Sequence, residues 1–332
     1  MTLYSIADKV IEAPIVTSFT RIGYDVRRLI GSWRDLNTYQ MTGRVVAITG
    51  PTSGLGLAAS EILVALGATV VLVARNERKA SELRSRLIAE TGNEHVSVVV
   101  CDMADMEAVR AAAATIDAGY DRLDVLIHNA GSLFNDRRTA PDGVELTTAV
   151  QVVGPFLMTG LLLDKLATTP GARVLTMSSG GMYTAGLTVT KLQMDPEAYR
   201  GAEQYARAKR AQVTLNEMWA ERTAGSGIRF HALHPGWAYT PGIAESLPRF
   251  QKMVGPLLRS PAQGVDTLVW LAADDGLPLE SNGRFWLDRR PRPIHKLGST
   301  RRTDTPQRRS ELWTWASSTA GWQLAPSVGK DA

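Results

Sequence analysis

Seven short runs of apolar, largely β-branched residues punctuate the chain from Val45 to Asp288: VVAIT (45–49), TVVLVA (69–74), VSVVVC (96–101), LDVLIH (123–128), RVLTM (173–177), IRFHAL (228–233) and RFWLD (284–288). A strand with one wet face alternates apolar and polar residues; these do not, so both faces are to be buried. Between them lie LGLAASEILVALGA, ERKASELRSRLIAE, MADMEAVRAAAATIDA, VELTTAVQVVGPFLMTGLLLDKLA and AEQYARAKRAQVTLNEMWAERT, each long and periodic enough for a crossover helix. Continuous strands alternating with helices require a parallel sheet covered on both sides, an α/β doubly wound layer of seven strands in a single domain over residues 43–290.

Two segments fall outside that alternation. Residues 1–42 mix Tyr4, Ile6, Val10, Ile11, Ile15, Phe19 and Trp33 with Arg21, Arg27, Arg28 and Arg34, a pattern of short amphipathic helices that either pack on the domain or lie on a membrane surface. Residues 291–332 form a basic tail that packs on the domain or extends from it. From Arg289 to Arg309 there are eight Arg or Lys against one acid, Asp304, suited to a solvated face or to anionic lipid. No nucleic-acid motif accompanies the charge. With 44% apolar residues and no run near the length of a membrane span, the chain should not cross a bilayer. The single cysteine, Cys101, excludes an intramolecular disulfide and a thiolate metal cage, and no metal site is expected. The opening residues lack a secretory pattern, so a cytoplasmic protein, with peripheral membrane contact through either end, is expected.

The first strand runs directly into Thr49-Gly50-Pro51-Thr52-Ser53-Gly54-Leu55-Gly56 and then a helix. Glycines at such a turn let backbone N–H groups approach a pyrophosphate at the positive helix end. The spacing, Gly-x-x-x-Gly-x-Gly, resembles that of the short-chain dehydrogenase/reductase family, whose fold is a Rossmann-like seven-stranded doubly wound sheet. About twenty residues on, where an acid would hold the ribose of NAD, stand Arg75-Asn76. No carboxylate repels a 2′-phosphate there and Arg75 can bind one, which favours NADP(H) over NAD(H), unless Arg75 is simply a solvated strand end. Asp102-Met103 matches the family's adenine contact, and Asn129-Ala130-Gly131 its cofactor-lining turn; His128, at a variable position, reads as a packed histidine.

Carbonyl reduction needs a proton donor at the oxygen. On a helix Lys209 lies beside Tyr205, so its charge can acidify that phenol, whereas Tyr199 has Glu203 four residues on. The resemblance makes Tyr205 the acid, Lys209 its activator and holder of the ribose, Ser179 the hydroxyl that positions the substrate oxygen, and Ser178 structural. Pro235, Gly236 and Thr240 match the segment that binds the nicotinamide end. The 25 residues between Ser179 and Tyr205 imply a loop inserted over the substrate site, and residues 243–260 fall where a substrate lid would lie. The strings RVLTMSSGGM, YARAKRAQV, HPGWAYTPG and GRFWLDRRP resemble an orphan branch of the family that shares the N-terminal extension.

The implied activity is NADP(H)-dependent interconversion of a carbonyl and an alcohol on an apolar, lipid-, steroid- or retinoid-like substrate. Gln151 departs from the pattern: in QVVGPF it stands where the family has an Asn that holds a water linking the lysine to solvent. It either keeps that proton relay or slows it, and in the second case a dinucleotide-binding sensor or scaffold with little turnover becomes the alternative. The helix from Val144 to Ala167 is apolar almost all round, as in a homodimer, unless the N-terminal extension covers its second face.

Overall fold

The computed structural model describes residues 8, 10–12, 15–242 and 248–325. Its strands are β1 (Val45–Thr49), β2 (Thr69–Ala74), β3 (Val96–Val100), β4 (Val125–His128), β5 (Arg173–Met177), β6 (Arg229–Leu233), β7 (Arg284–Leu287) and β8 (Arg290–Arg292). They form one sheet in the order β3-β2-β1-β4-β5-β6-β7-β8, with the first seven parallel. The expected seven-stranded sheet therefore gains an eighth strand, antiparallel to β7. Asp288 and Arg289 make that reversal in left-handed conformation, at φ 55° and 53°. Pro291 opposite Trp286 is tolerated because β8 is an edge.

The principal helices are α1 (Ile15–Phe19), α2 (Arg21–Gly31), α3 (Gly54–Ala65), α4 (Glu77–Thr91), α5 (Met106–Gly119), α6 (Gly154–Leu161), α7 (Gly201–Arg222), α8 (Pro248–Val254), α9 (Pro261–Ala273) and α10 (Pro306–Ala320). Along β1, Val45 and Ala47 join a core with α5, α6, α7 and α10, while Val46 and Ile48 join one with α3, α4 and α9. Both strand faces are thus dry, which is why the strand runs are continuously apolar. The sheet order reverses between β1 and β4, and the crevice beyond their C-terminal ends is where such sheets bind ligands.

The helix expected over 144–167 is broken. Its Ala149–Val153 turn is π-helical and α6 begins at Gly154. Pro155 has no N–H for the Gln151 carbonyl one turn earlier; the Gln212 side chain donates to it instead, at 2.6 Å. The second face of this region is covered by α10, not by the N-terminal extension: Trp313 meets Phe156 edge-on at 5.0 Å, and Trp322 fills the space above Gly160. The extension docks elsewhere, across β7 and β8. Fully buried Arg27 bonds Asp8, Glu12 and Asp288, and Arg259 holds the other side of Asp288. Much of the basic tail is spent the same way, Arg289 on Asp266, Arg292 on Asp8, Lys296 on Glu12 and Arg309 on Asp304 and Glu217. Among the described residues no helix is long and apolar enough to cross a membrane.

Candidate active site

The dinucleotide turn starts from backbone. Gly50 and Gly54 have φ of 66° and 55°, and a Cβ on Gly56 would lie 2.1 Å from the Gly50 carbonyl, so a side chain at either end would prevent the turn. Asn129 braces it, donating from Nδ2 to the Thr49 and Gly50 carbonyls, while Thr49 Oγ1 accepts from the Asn129 and Ala130 amides. Ser53 sits at the N-cap of α3 but makes no side-chain bond to it, so the first-turn amides beside Thr52, Gly54 and Leu55 stay available to an anion. Thr240 reaches the same turn, its Cγ2 3.3 Å from where a Gly54 Cβ would be. These residues fit a dinucleotide pyrophosphate.

Arg75 is exposed at the end of β2. Asn76 beside it caps α4, accepting from the Lys79 amide at 2.9 Å, so its side chain has a structural task as well. Asp102 is exposed and accepts from the Ala104 amide, whereas the Met103 side chain is buried in the core. Met103 can therefore offer a nucleotide its backbone, not its sulfur. Gly131 lies against Gln151, whose Cδ would be 3.1 Å from an added Cβ. His128 is a packed histidine, as expected: it is buried, bonded to Thr159 at 2.8 Å and pushed down to about 3 by burial.

Past β5, Ser179 accepts from the Gly181 amide, and a Cβ on Gly181 would lie 3.6 Å from its Oγ and 3.9 Å from the Tyr205 ring, so the two side chains flank one point. Burial raises the Tyr205 phenol and the Ser179 hydroxyl partly opposes it. Lys209, on the same helix, holds its Nζ 5.3 Å from the Tyr205 ring centroid and donates to the Met177 carbonyl at 2.9 Å. Burial brings its ammonium down to about 7. Ser178 bonds the Lys209 carbonyl, the structural role expected of it. Tyr199 precedes α7, so the helical spacing that set it against Glu203 does not apply; it bonds Glu145, and Glu203 pairs with Arg200 and Arg207. The long insertion is tied to the C-terminal segment, with the Leu187 amide on Thr303 and Arg308 on the Leu187 carbonyl. Of the expected lid, residues 243–247 lie outside the described residues, and α8 follows.

Gln151 is fully buried. Its amide nitrogen donates to the Ser132 carbonyl at 2.8 Å, and it borders a cavity of about 30 Å³ shared with His128, Gln212 and Asn216.

Residues 44–249 match the short chain dehydrogenase family. The chain belongs to that family. Human dehydrogenase/reductase SDR family member 12 is 36% identical to this short-chain dehydrogenase over 277 residues, 83% of this chain and 86% of the relative. Human retinol dehydrogenase 11 is 30% identical over 264 residues, 78% and 82% of the two chains. A short chain dehydrogenase from Escherichia coli CFT073, solved with NADPH, superposes with a TM-score of 0.62 at 23% identity, over 77% of this chain and 100% of its own. Motif spacing led to the glycine turn before α3 and to Ser179, Tyr205 and Lys209, which the structure brings together. It missed Gln212, whose only signal was Pro155 four residues past Gln151, and it missed Phe19, which meets His234 edge-on at 4.4 Å.

Proposed function

We propose that this dehydrogenase interconverts a carbonyl and an alcohol on an apolar substrate with NADP(H). The observation that carries the reading is the placement of Ser179 and Tyr205 together about Gly181 and beside Lys209, at the strand ends that also bear the dinucleotide turn. Bound NADPH would supply hydride to the carbonyl carbon. Gly50, Thr52, Ser53, Gly54, Leu55 and Gly56 would hold its pyrophosphate, and Arg75, with no ion-pair partner among the described residues, its 2′-phosphate. Ser179 fixes the substrate oxygen. Tyr205, raised by burial, is fully protonated at neutral pH, the state a carbonyl reductase requires of its acid. Lys209 gains charge as pH falls toward its value of about 7, and that charge eases loss of the phenolic proton. The apolar class is supported by the likeness to a retinol dehydrogenase and by Met253, exposed on α8.

NADPH consumption should be screened against retinoid, steroid, fatty aldehyde and quinone carbonyls, with NADH in parallel. Tyr205→Phe should lower turnover by about 10²- to 10⁴-fold while leaving NADPH binding intact. Unchanged turnover in that variant defeats the assignment. NADPH binding without reduction of any carbonyl would instead support a sensor.

A further inference from the structure

Residues 18–20 of the N-terminal extension pass beneath two loops of the active site. Phe19 is buried, and its ring meets His234 edge-on at 4.4 Å and Trp237 at 5.9 Å, and stacks on Tyr183 at 6.4 Å. A Cβ added to Gly180, next to Ser179, would come within 2.9 Å of its Cε2. The main chain reinforces the contact, since the Phe19 carbonyl accepts from the Trp237 amide at 2.7 Å. His234 Nδ1 in turn accepts from the Gly180 amide at 3.1 Å. The loop after β5 and the loop after β6 are thus joined on one ring.

The strap itself is fixed by charge. Arg259 donates to the Ser18, Phe19 and Thr20 carbonyls, Arg27 also takes the Ser18 carbonyl, and Asp288 holds both guanidinium groups. Gly236, at φ 75°, lies so close on Arg259 that a Cβ would fall 2.2 Å from Nε. The nicotinamide-side loop therefore rests on the same arginine that grips the strap.

We propose that the N-terminal extension belongs to the catalytic apparatus, with Phe19 a positioning residue that sets the distance between the Ser179 loop and the Pro235–Trp237 loop. This rests on the function proposed above, in which one loop holds the carbonyl oxygen and the other the nicotinamide end. Phe19 has no place at the dinucleotide turn, so the adenosine half of the cofactor should not sense it. Small displacements of reacting groups can cost on the order of 10²-fold in rate.

The test uses the full chain with Phe19→Ala and the milder Phe19→Leu, titrated with NADP⁺ and with 2′,5′-ADP, which lacks the nicotinamide half. Phe19→Ala should bind 2′,5′-ADP within about twofold of the parent, lose about tenfold in NADP⁺ affinity and lose at least about tenfold in kcat, with Phe19→Leu between. An equal loss for both ligands, or no change in their affinity ratio in a folded variant, overturns the proposal. If Phe19→Ala does not fold, the same ratio in Phe19→Leu decides. If the parent reduces no carbonyl, the functional reading fails while the ligand ratio still judges the positioning role.

Discussion

Replacing Arg27 with methionine keeps an unbranched stem and removes the guanidinium with its charge. The guanidinium is fully buried and bonds Asp8 at 2.8 Å, Asp288 at 2.6 Å, Glu12 at 3.0 Å and the Ser18 carbonyl at 2.9 Å. Arg259 stays on Asp288 and Arg292 on Asp8, so the carboxylates are weakened in their pairing, not stripped. Removing one partner from a buried ion network typically costs about 3 to 5 kcal/mol. At about 2.1 cal/mol/K per residue, a chain of 332 residues unfolds with an entropy near 0.7 kcal/mol/K, so the expected fall in Tm is about 4 to 7 °C. Thermal unfolding followed by near-ultraviolet circular dichroism at pH 7 measures it. Arg78→Met is the control, because Arg78 and Glu82 form an exposed pair one turn apart and should shift Tm by less than about 1 °C. Raising the salt to 1 M should leave the Arg27 shift in place, since buried pairs are poorly screened. An Arg27 shift no larger than the control refutes the claim that the extension is anchored by buried charge.

Acid should destabilise the fold well before its carboxylates titrate. Burial holds His128, His231 and His234 neutral, at about 3, 4 and 3. Their values lie below the unfolded 6.5, so the unfolded state binds protons first and stability falls as pH drops beneath 6.5. Three such groups remove about 4 kcal/mol between pH 6 and pH 5, read by urea unfolding at each pH; a flat profile there would contradict their burial. Asp8 acts later: burial alone would raise it, but Arg292 and Arg27 hold it at about 2, so its contribution fades only as pH falls from about 4 to 2. Gln212→Leu should cost about 1 to 3 kcal/mol, because the Gln151 carbonyl then has no donor. Gln151→Asn should change the pH profile of turnover if the amide serves the proton relay, and an unaltered profile removes that role.

The strands were readable to within a residue or two because burial on both faces leaves a local mark, an unbroken apolar run. The helix break was half visible: Pro155 announces an orphan carbonyl, but only the fold shows that Gln212, 61 residues later, supplies the donor. β8 escaped notice because RPR carries no strand pattern, and what makes it a strand is the left-handed turn at Asp288 and Arg289. The basic tail looked like a solvated face because its acids, Asp8, Glu12, Asp266 and Glu217, are distant in sequence. Motifs report local geometry; long-range charge pairing has no local spelling.

Arg27 and Asp288 are 261 residues apart. During synthesis at about 5 to 20 residues per second, the extension leaves the ribosome roughly 13 to 50 seconds before its anchor exists. For that interval Arg27 lacks the Asp288 carboxylate, and Phe19 lacks its full set of ring partners until Trp237 has been made. The nascent chain must keep Arg27 uncommitted until Asp288 arrives, and a chain cut short before Asp288 would leave Arg27 and Arg259 without the carboxylate that joins them.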